Sequence, residues 1–230
     1  MARPKTMKAV LYHADWDPKP GLKLSEKELR DHRGKADSDK IFRNPTIKMV
    51  EMPVPEITKP DEVLIMVKAC GICGTDLHLI ETDEEGYNLY PGHMKGDMVL
   101  GHEFCGEVIE VGTDVVTLKV GDKVAVEEMK WCGRCYSCRK GHVNQCTNLE
   151  EFGITAHGAY SEYVVSSERY CWKINSFSNM CRRPWIYTCC DKHTLDINIY
   201  IYFCTHWFSY FNRSTYNCHV LLVMNKGVIF

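Results

Sequence analysis

Residues 131–146 read WCGRCYSCRKGHVNQC and hold four cysteines in the spacing C-x2-C-x2-C-x7-C. Four thiolates this close in the chain can form a closed tetrahedral zinc site, which orders the backbone and carries out no redox chemistry. The spacing therefore predicts a structural zinc site that organises this part of the fold. Its predicted ligands are Cys132, Cys135, Cys138 and Cys146.

Two alternatives to zinc are four incidental thiols and an iron–sulfur cluster. Ferredoxin-type clusters use C-x2-C-x2-C-x3-C followed by proline, whereas here the last interval is seven residues and Thr147 follows Cys146. Disulfides are disfavoured because the chain has 13 cysteines, an odd number, and begins MARPKTMKAV without the apolar segment of a secretory signal. We therefore expect reduced thiols, a cytoplasmic location and zinc.

Composition limits the classes of function. The chain has 230 residues, 45% of them hydrophobic, which allows one substantial core or one core and a fragment of another. The net charge of -2 and the dispersed basic residues disfavour nucleic acid as a partner. No apolar run reaches the roughly 18 residues that a membrane span needs. We expect a soluble protein without a membrane or nucleic-acid partner.

The first three quarters of the chain predict a mainly β domain with a few helices. Ser25 and Glu28 match a capping box and predict a helix at Glu26–Arg33. Gly and Asp in turns between apolar runs favour a sheet that curls into a barrel. The predicted strands are short segments rich in Val and Ile: Met7–Tyr12, Thr46–Met52, Glu62–Ala69, Phe104–Val111, Lys123–Val126 and Ala159–Ser166.

The composition changes abruptly after Asn175. Residues 176–230 contain neither Ala nor Glu and a single Gly, which is unlike an ordinary globular domain. We interpret residues 1–175 as one domain and residues 176–230 as an anomalous tail, expected to be poorly ordered. Our hypothesis for the tail is translation through an intron or out of frame. No G-x-G-x-x-G motif opens a nucleotide-binding unit anywhere in the sequence.

A second constellation precedes the cysteine cluster. Cys73 begins C-G-T-D-L-H, and about thirty residues later G-H-E-F-C-G-E-V-I-E-V-G contains His102 and Glu103. A thiolate, an imidazole and a carboxylate from different strand ends suit an open catalytic zinc site. Each residue alone is more often packed or solvated than liganding. A redox pair, Cys70-x2-Cys73, would need a thioredoxin-like βαβ setting, which the strand-rich flanks do not offer.

These motifs resemble the medium-chain zinc-dependent alcohol and polyol dehydrogenases. The stretch G101-H-E-x2-G-x5-G-x2-V115 matches the zinc signature of that family, and the cysteine cluster matches its structural zinc lobe. Within the family, residues 82–87, 89–92 and 127–135 resemble the scyllo-inosose dehydrogenases most, with threonine and sorbitol dehydrogenases as cousins. The resemblance spans Met7 to Asn175. It implies a GroES-like β-barrel catalytic domain with a structural zinc lobe, and it stops before the family's Rossmann domain.

The resemblance also implies roles for individual residues. Cys73 and His102 would be catalytic zinc ligands, and Glu103 would be the neighbouring carboxylate that ligates zinc or lies next to it. Thr75 would accept the proton of the alcohol, and His78 would pass that proton to solvent.

Two further carboxylates receive roles from the resemblance. Asp76 would orient the imidazole of the zinc ligand, which selects its tautomer and raises its basicity. Glu128 falls where simple alcohol dehydrogenases line the substrate pocket with an apolar group, and a charge there would suit a substrate with many hydroxyls. The alternative is that Glu127 or Glu128 only faces solvent.

One zinc ligand of the family has no match in this sequence. In the family it is a Glu in a Glu-Pro context, or a Cys, that follows the matching region, and the tail contains no Glu. Cys181, Cys189 and Cys190 are candidate substitutes without supporting context.

The implied function is a zinc-dependent oxidoreductase that acts on the CH–OH group of a polyol or cyclic polyol, with NAD or NADP as hydride acceptor. Members of the family are usually homo-oligomers. The alternative is a zinc-binding GroES-like module without turnover, and a third interpretation is a redox or iron–sulfur protein.

Overall fold

The structure is a computed structural model that describes residues 3–35 and 40–174, together with the backbone of residues 203–204 and 218–219. Within these residues the domain is mainly β with short helices, and every pair of named strands is antiparallel. The predicted fold class is confirmed. The prediction of poor order for residues 176–230 lies outside the described residues apart from the two short strands, and so do Cys181, Cys189 and Cys190.

The described residues form strands and short helices joined by turns. The helices are α1 (Glu26–Asp31), α2 (Gly74–His78) and α3 (Tyr136–Arg139), with 3-10 turns at Val143–Gln145 and Glu168–Tyr170. The strands are β1 (Thr6–Trp16), β2 (Arg33–Lys35), β3 (Phe42–Pro53), β4 (Glu62–Gly71), β5 (His93–Lys95), β6 (Asp97–Val99), β7 (Glu103–Val111), β8 (Lys123–Val126), β9 (Met129–Lys130), β10 (Glu150–Glu151), β11 (Tyr163–Ser167), β12 (Cys171–Lys173), β13 (Phe203–Cys204) and β14 (Cys218–His219).

Two sheets form the predicted barrel. A three-stranded sheet has the order β3-β1-β6, and a five-stranded sheet has the order β11-β4-β7-β8-β12. The segment before β11 joins them, because Val10 N donates to Tyr160 O at 2.8 Å and Val67 N donates to Glu162 O at 2.9 Å. Because the residues before Tyr163 join the two sheets in this way, β11, the last of the predicted strands, begins at Tyr163 and not at the predicted Ala159.

Strand β4 is buried on both faces because it separates two apolar clusters. Alternate residues of a strand point to opposite faces. Val63, Ile65 and Val67 enter the main core, while Leu64 packs with Met7 and Val54 in a smaller cluster. Burial of each such aliphatic side chain contributes about 1.5–3 kcal/mol to stability. Strand β4 is therefore the rigid support for the segment that follows it.

The first helix is shorter than the sequence predicts. The capping box between Ser25 and Glu28 is present, but α1 ends at Asp31 and His32 adopts a left-handed φ of 41°. The helix cannot continue to Arg33 because residues 33–35 pair with β5 instead. Tertiary strand pairing has overridden a helix-compatible pattern.

The glycines of the zinc signature lie where the backbone is crowded. Gly101 has a φ of 89°, and a Cβ on it would lie 2.5 Å from Tyr160 Cδ1 and 2.8 Å from Cys70 Sγ. A Cβ on Gly106 would lie 2.4 Å from Met66 O. A side chain at these positions would push β7 away from its neighbours. Because Gly101 and Gly106 have no side chains, the start of β7, with His102 and Glu103, can pack closely against its neighbours in the barrel.

Within the described part of the chain, no helix combines the length and the apolar character needed to cross a lipid bilayer.

Candidate metal centres

The cysteine cluster forms a compact group of donor atoms. The Sγ atoms of Cys132, Cys135, Cys138 and Cys146 all lie within 4.8 Å of one another, beside α3 and the 3-10 turn that follows it. Backbone N–H groups point at two of the sulfurs: Cys146 Sγ accepts from Cys132 N and Asn148 N at 3.3 Å each, and Cys132 Sγ accepts from Cys135 N at 3.4 Å. This arrangement stabilises thiolates.

The electrostatics of the cluster favour a bound cation. Backbone N–H groups lower the pKa of Cys132 and of Cys135. Burial, followed by the neighbouring Cys135 thiol, raises the pKa of Cys138. Four adjacent thiolates cannot coexist without a positive charge between them. The donor set, four soft sulfurs in one closed group, therefore fits a structural zinc ion.

The second group is assembled by the pairing of β4 with β7. Gly71, at the end of β4, pairs with Glu103, at the start of β7. Cys73 lies two residues after the end of β4 and is the N-cap of α2, and His102 directly precedes β7. Sγ of Cys73, a ring nitrogen of His102 and a carboxylate oxygen of Glu103 all lie within 4.8 Å of one another. The structure thus brings together the three residues that the sequence predicts for the catalytic site.

Asp76 lies behind the His102 ring. Asp76 Oδ1 is 3.8 Å from His102 Nδ1, and neither buried atom has a hydrogen-bond partner. The other oxygen, Oδ2, accepts from Cys73 N at 2.9 Å and lies 2.9 Å from the hydroxyl of Tyr160. A shift of under 1 Å would join the two unpartnered atoms and leave His102 Nε2 for a metal. The sequence analysis missed Tyr160, because no motif marks it.

The second group carries strong electrostatic perturbations. Burial disfavours the charged form of His102, but hydrogen bonding with Cys73 and the carboxylates of Asp76 and Glu128 outweigh it and raise the pKa of His102 to about 10. Burial, reinforced by Cys73, raises the pKa of Glu103 to about 7. Acidic groups that surround one imidazole form a site suited to a cation. The donor set of thiolate, imidazole and carboxylate fits zinc with an open position.

The residues with predicted proton-transfer roles lie on α2. Thr75 Oγ1 is 3.5 Å from Cys73 Sγ, so this hydroxyl lies directly beside the group of donors. His78, at the last position of α2, is 30% exposed and its Nδ1 lies 2.6 Å from Glu81 Oε2. Thr75 therefore lies beside the donor group near the start of α2, and His78 contacts the solvent-exposed Glu81 at the end of this helix.

Glu128 approaches the donor group from the side of His102 Nε2. Its Oε2 is 3.9 Å from His102 Nε2, and its side chain is 38% exposed. Two residues that the sequence analysis missed lie near it. Burial raises the pKa of Tyr90, and the carboxylates of Glu151 and Glu128 add to this shift. Burial and Glu128 likewise raise the pKa of Glu151. One wall of the site is therefore acidic and hydrogen-bonding.

Substitution Asp76→Asn will weaken metal binding at the second group. The amide keeps an oxygen for Cys73 N but loses the charge that faces His102 Nδ1, and loss of such a partner typically costs about 10–100-fold in metal affinity. Competition titration with a chromophoric chelator will measure this change. The cysteine cluster is the internal control and should keep its affinity. An unchanged affinity at the second group would show that Asp76 does not orient His102.

Metal binding at the second group will strengthen with rising pH. The raised pKa of His102 means that the metal-free protein holds a proton on this ring at neutral pH. A metal must displace that proton, so the affinity should rise about tenfold per pH unit between about pH 6 and pH 8 from His102 alone. Zinc titrations across this range provide the measurement. A flat profile would show that His102 is not a ligand.

Comparison with known proteins agrees with the geometry. The family model of the alcohol dehydrogenase GroES-like domain matches residues 59–176. Scyllo-inosose 3-dehydrogenase of Thermotoga maritima is 43% identical over 182 residues, which cover 76% of this chain and 45% of that protein. L-threonine 3-dehydrogenase of Pyrococcus horikoshii is 42% identical over 126 residues, which cover 55% of this chain and 35% of that protein. The chain therefore spans less than half the length of these relatives.

Solved structures give the same result. A structure assigned as an alcohol dehydrogenase from Thermotoga maritima has a TM-score of 0.69 and 43% identity, and the match covers 73% of this chain and 44% of that one. An alcohol dehydrogenase from Escherichia coli, solved in complex with NADH, has a TM-score of 0.51 and 28% identity, with 74% and 39% of the two chains covered. The chain belongs to the zinc-dependent alcohol and polyol dehydrogenase family, through its GroES-like domain.

Proposed function

We propose that this chain provides the catalytic domain of a zinc-dependent oxidoreductase that acts on the CH–OH group of a polyol or cyclic polyol, with NAD or NADP as hydride acceptor. The observation that carries the proposal is the convergence of Cys73, His102 and Glu103 within 4.8 Å, beside the hydroxyl of Thr75. Three protein ligands leave a tetrahedral ion one position for a substrate oxygen. Residues 1–175 form the domain that carries this site, and residues 176–230 are a separate tail.

Each residue around the site would have a separate role in alcohol oxidation. Bound zinc supplies a Lewis acid that lowers the pKa of the substrate hydroxyl. Thr75 accepts the hydroxyl proton, and His78 passes it towards Glu81 and solvent. Asp76 holds the His102 ring in position. A bound nicotinamide would supply the acceptor for the hydride of the carbinol carbon, so the overall reaction would give a ketone, a proton and the reduced cofactor.

The acidic wall supports a substrate with several hydroxyls. The Glu128 carboxylate is half-exposed on the side of His102 Nε2, where it can accept hydrogen bonds from hydroxyls next to the reacting carbon. A site with buried polar groups rejects ligands that leave those groups unpaired. The relatives named as dehydrogenases of scyllo-inosose and of L-threonine support a substrate with more than one polar group.

We place the protein in the cytoplasm, with a small alcohol or polyol as its partner and neither nucleic acid nor a membrane. Within residues 3–35 and 40–174 no two cysteines form a disulfide, and reduced cysteines are the state maintained in a reducing compartment. A homo-oligomer is proposed on the resemblance to the family.

A second candidate function is a zinc-stabilised module with a GroES-like fold and no turnover. It is favoured by the closed group of four cysteines, since a structural zinc there can stabilise the fold without any turnover. This module would need the cysteine cluster and would not need the second group of donors.

Metal counting combined with an activity assay separates the two functions. The purified 230-residue chain is analysed for zinc by atomic emission and assayed for reduction of NAD or NADP with an inositol-type polyol. Two zinc ions per chain together with turnover would support the oxidoreductase. One zinc ion, with neither turnover nor cofactor binding in a fluorescence titration, would support the module.

A further inference from the structure

We propose that Glu128 is the fourth protein ligand of the second metal centre in its resting state, and that a substrate oxygen replaces the Glu128 carboxylate on binding. This inference rests on the proposed function, because Cys73, His102 and Glu103 must hold the metal for Glu128 to join them. It assigns to this domain a ligand that the sequence resemblance locates beyond Asn175.

The distance between Glu128 and His102 suits two ligands of one ion. Zinc binds nitrogen and carboxylate oxygen at about 2.0–2.1 Å, so two such ligands in a tetrahedral site lie about 3.3 Å apart. Glu128 Oε2 lies 3.9 Å from His102 Nε2. The Glu128 side chain is 38% exposed, which leaves room for the rotation that would bring it closer. The direct alternative, a charged hydrogen bond, would be about 1 Å shorter.

The nitrogen that faces Glu128 is the one that a metal would use. His102 is 3% exposed, and its Nδ1 faces Asp76. Nε2 is therefore left on the side of Cys73, Glu103 and Glu128. The mutual distances of up to 4.8 Å join Cys73, His102 and Glu103, and Glu128 lies just outside this group, so its carboxylate must move towards the other donors to complete a four-coordinate set.

The backbone holds Glu128 on this side of the barrel. Glu128 lies between β8 and β9, and its carbonyl oxygen accepts from Phe152 N at 3.1 Å. On the preceding residue, Glu127 N donates to Tyr170 O at 2.8 Å. Glu127 carries the same carboxylate at the adjacent position and belongs to no group of donor atoms, which makes it a matched control.

A displaceable carboxylate agrees with the proposed chemistry. A fourth ligand that stayed bound would close the site, whereas an open position is needed for an alcohol oxygen. Once replaced, the Glu128 carboxylate would lie next to the bound substrate and could accept a hydrogen bond from a second hydroxyl. Glu128 would then have two roles: it would be the fourth metal ligand in the resting state, and it would accept a hydrogen bond from a bound polyol.

Cobalt(II) titration of the whole chain, with zinc kept in the cysteine cluster, tests the assignment without any assay of turnover. Four-coordinate cobalt absorbs visible light strongly, and its spectrum changes with the ligand set. Glu128→Gln should weaken cobalt binding at least tenfold and alter the spectrum, while Glu127→Gln should change neither. Glu128→Asp keeps the charge but shortens the side chain, so direct ligation predicts a weaker affinity and an altered spectrum for this variant too.

The outcomes distinguish direct ligation of the metal by Glu128 from an indirect effect of its charge. A Glu128→Gln spectrum identical to that of the unmodified chain would overturn the proposal, even with a lower affinity, because charge alone would then explain the loss. Wild-type behaviour of Glu128→Asp would also overturn it. Zinc retained by the cysteine cluster, together with an unchanged circular dichroism spectrum, will show that the variants fold. Cys73→Ser tests the proposed function separately: if it leaves the cobalt spectrum unchanged, the second centre itself is refuted.

Discussion

Replacing Cys146 with serine will remove one zinc ion per chain and lower the free energy of unfolding by about 4 kcal/mol or more, because loss of a structural metal is among the most destabilising single changes. Cys146 is buried, and its sulfur accepts two backbone N–H bonds. Serine is a poor zinc ligand at neutral pH. Metal analysis and thermal denaturation will measure the two effects.

The loss should be concentrated in the zinc lobe, residues 131–149. Amide hydrogen exchange should accelerate there first, since the lobe contains only α3 and one 3-10 turn as regular structure between β9 and β10. Cys171→Ser is the control, because the Cys171 thiol belongs to neither donor group and lies 3.5 Å from Ser167 O, which a hydroxyl can also contact. Equal destabilisation by both substitutions would refute a structural zinc at the cluster.

Replacing His102 with alanine will reduce the zinc content from two ions per chain to one and leave the ion in the cysteine cluster. Any polyol-dependent hydride transfer should fall by about 10³-fold or more, since Lewis-acid stabilisation by a metal contributes several kcal/mol. The substitution also leaves the buried Asp76 carboxylate without the ring that faces it. Zinc analysis is the first measurement, because it does not depend on turnover.

His13→Ala is the matched control for His102→Ala. The His13 side chain is 48% exposed and pairs with Asp97 and Asp15 at the surface, where such ion pairs contribute little to stability. It should keep both zinc ions and the activity. A His102→Ala protein that retains two zinc ions would mean that the second group does not hold a metal.

Local patterns predicted the fold where the contacts are close in the chain. The short runs rich in Val and Ile predicted strands β1 and β7, and a Gly-Asp pair predicted the turn at Gly121, which has a φ of 89°. Local patterns could not predict the residue at which α1 ends. Residues after His32 pair with β5, some sixty residues later, and a local pattern contains no information about that pairing.

The two candidate metal sites also differ in how far the sequence alone could predict them. The cysteine cluster spans fifteen residues, so its spacing alone indicates a shared metal. Cys73 and His102 were identified through a resemblance, and their proximity depends on the register that pairs Gly71 with Glu103. Tyr160 contacts Asp76 across 84 residues, and no sequence spacing would have suggested this contact.

The sequence by itself therefore determined the cysteine spacing of the lobe, the β-rich class and the family signature, because each depends on residues that are neighbours along the chain or on the steric need for glycine. Only the tertiary structure decided which groups surround the second donor set. The burial of Asp76 behind His102, the approach of Glu128 to Nε2 and the acidic surroundings of Tyr90 all arise from contacts between distant segments. Such contacts are fixed by strand register and core packing, which no local pattern specifies.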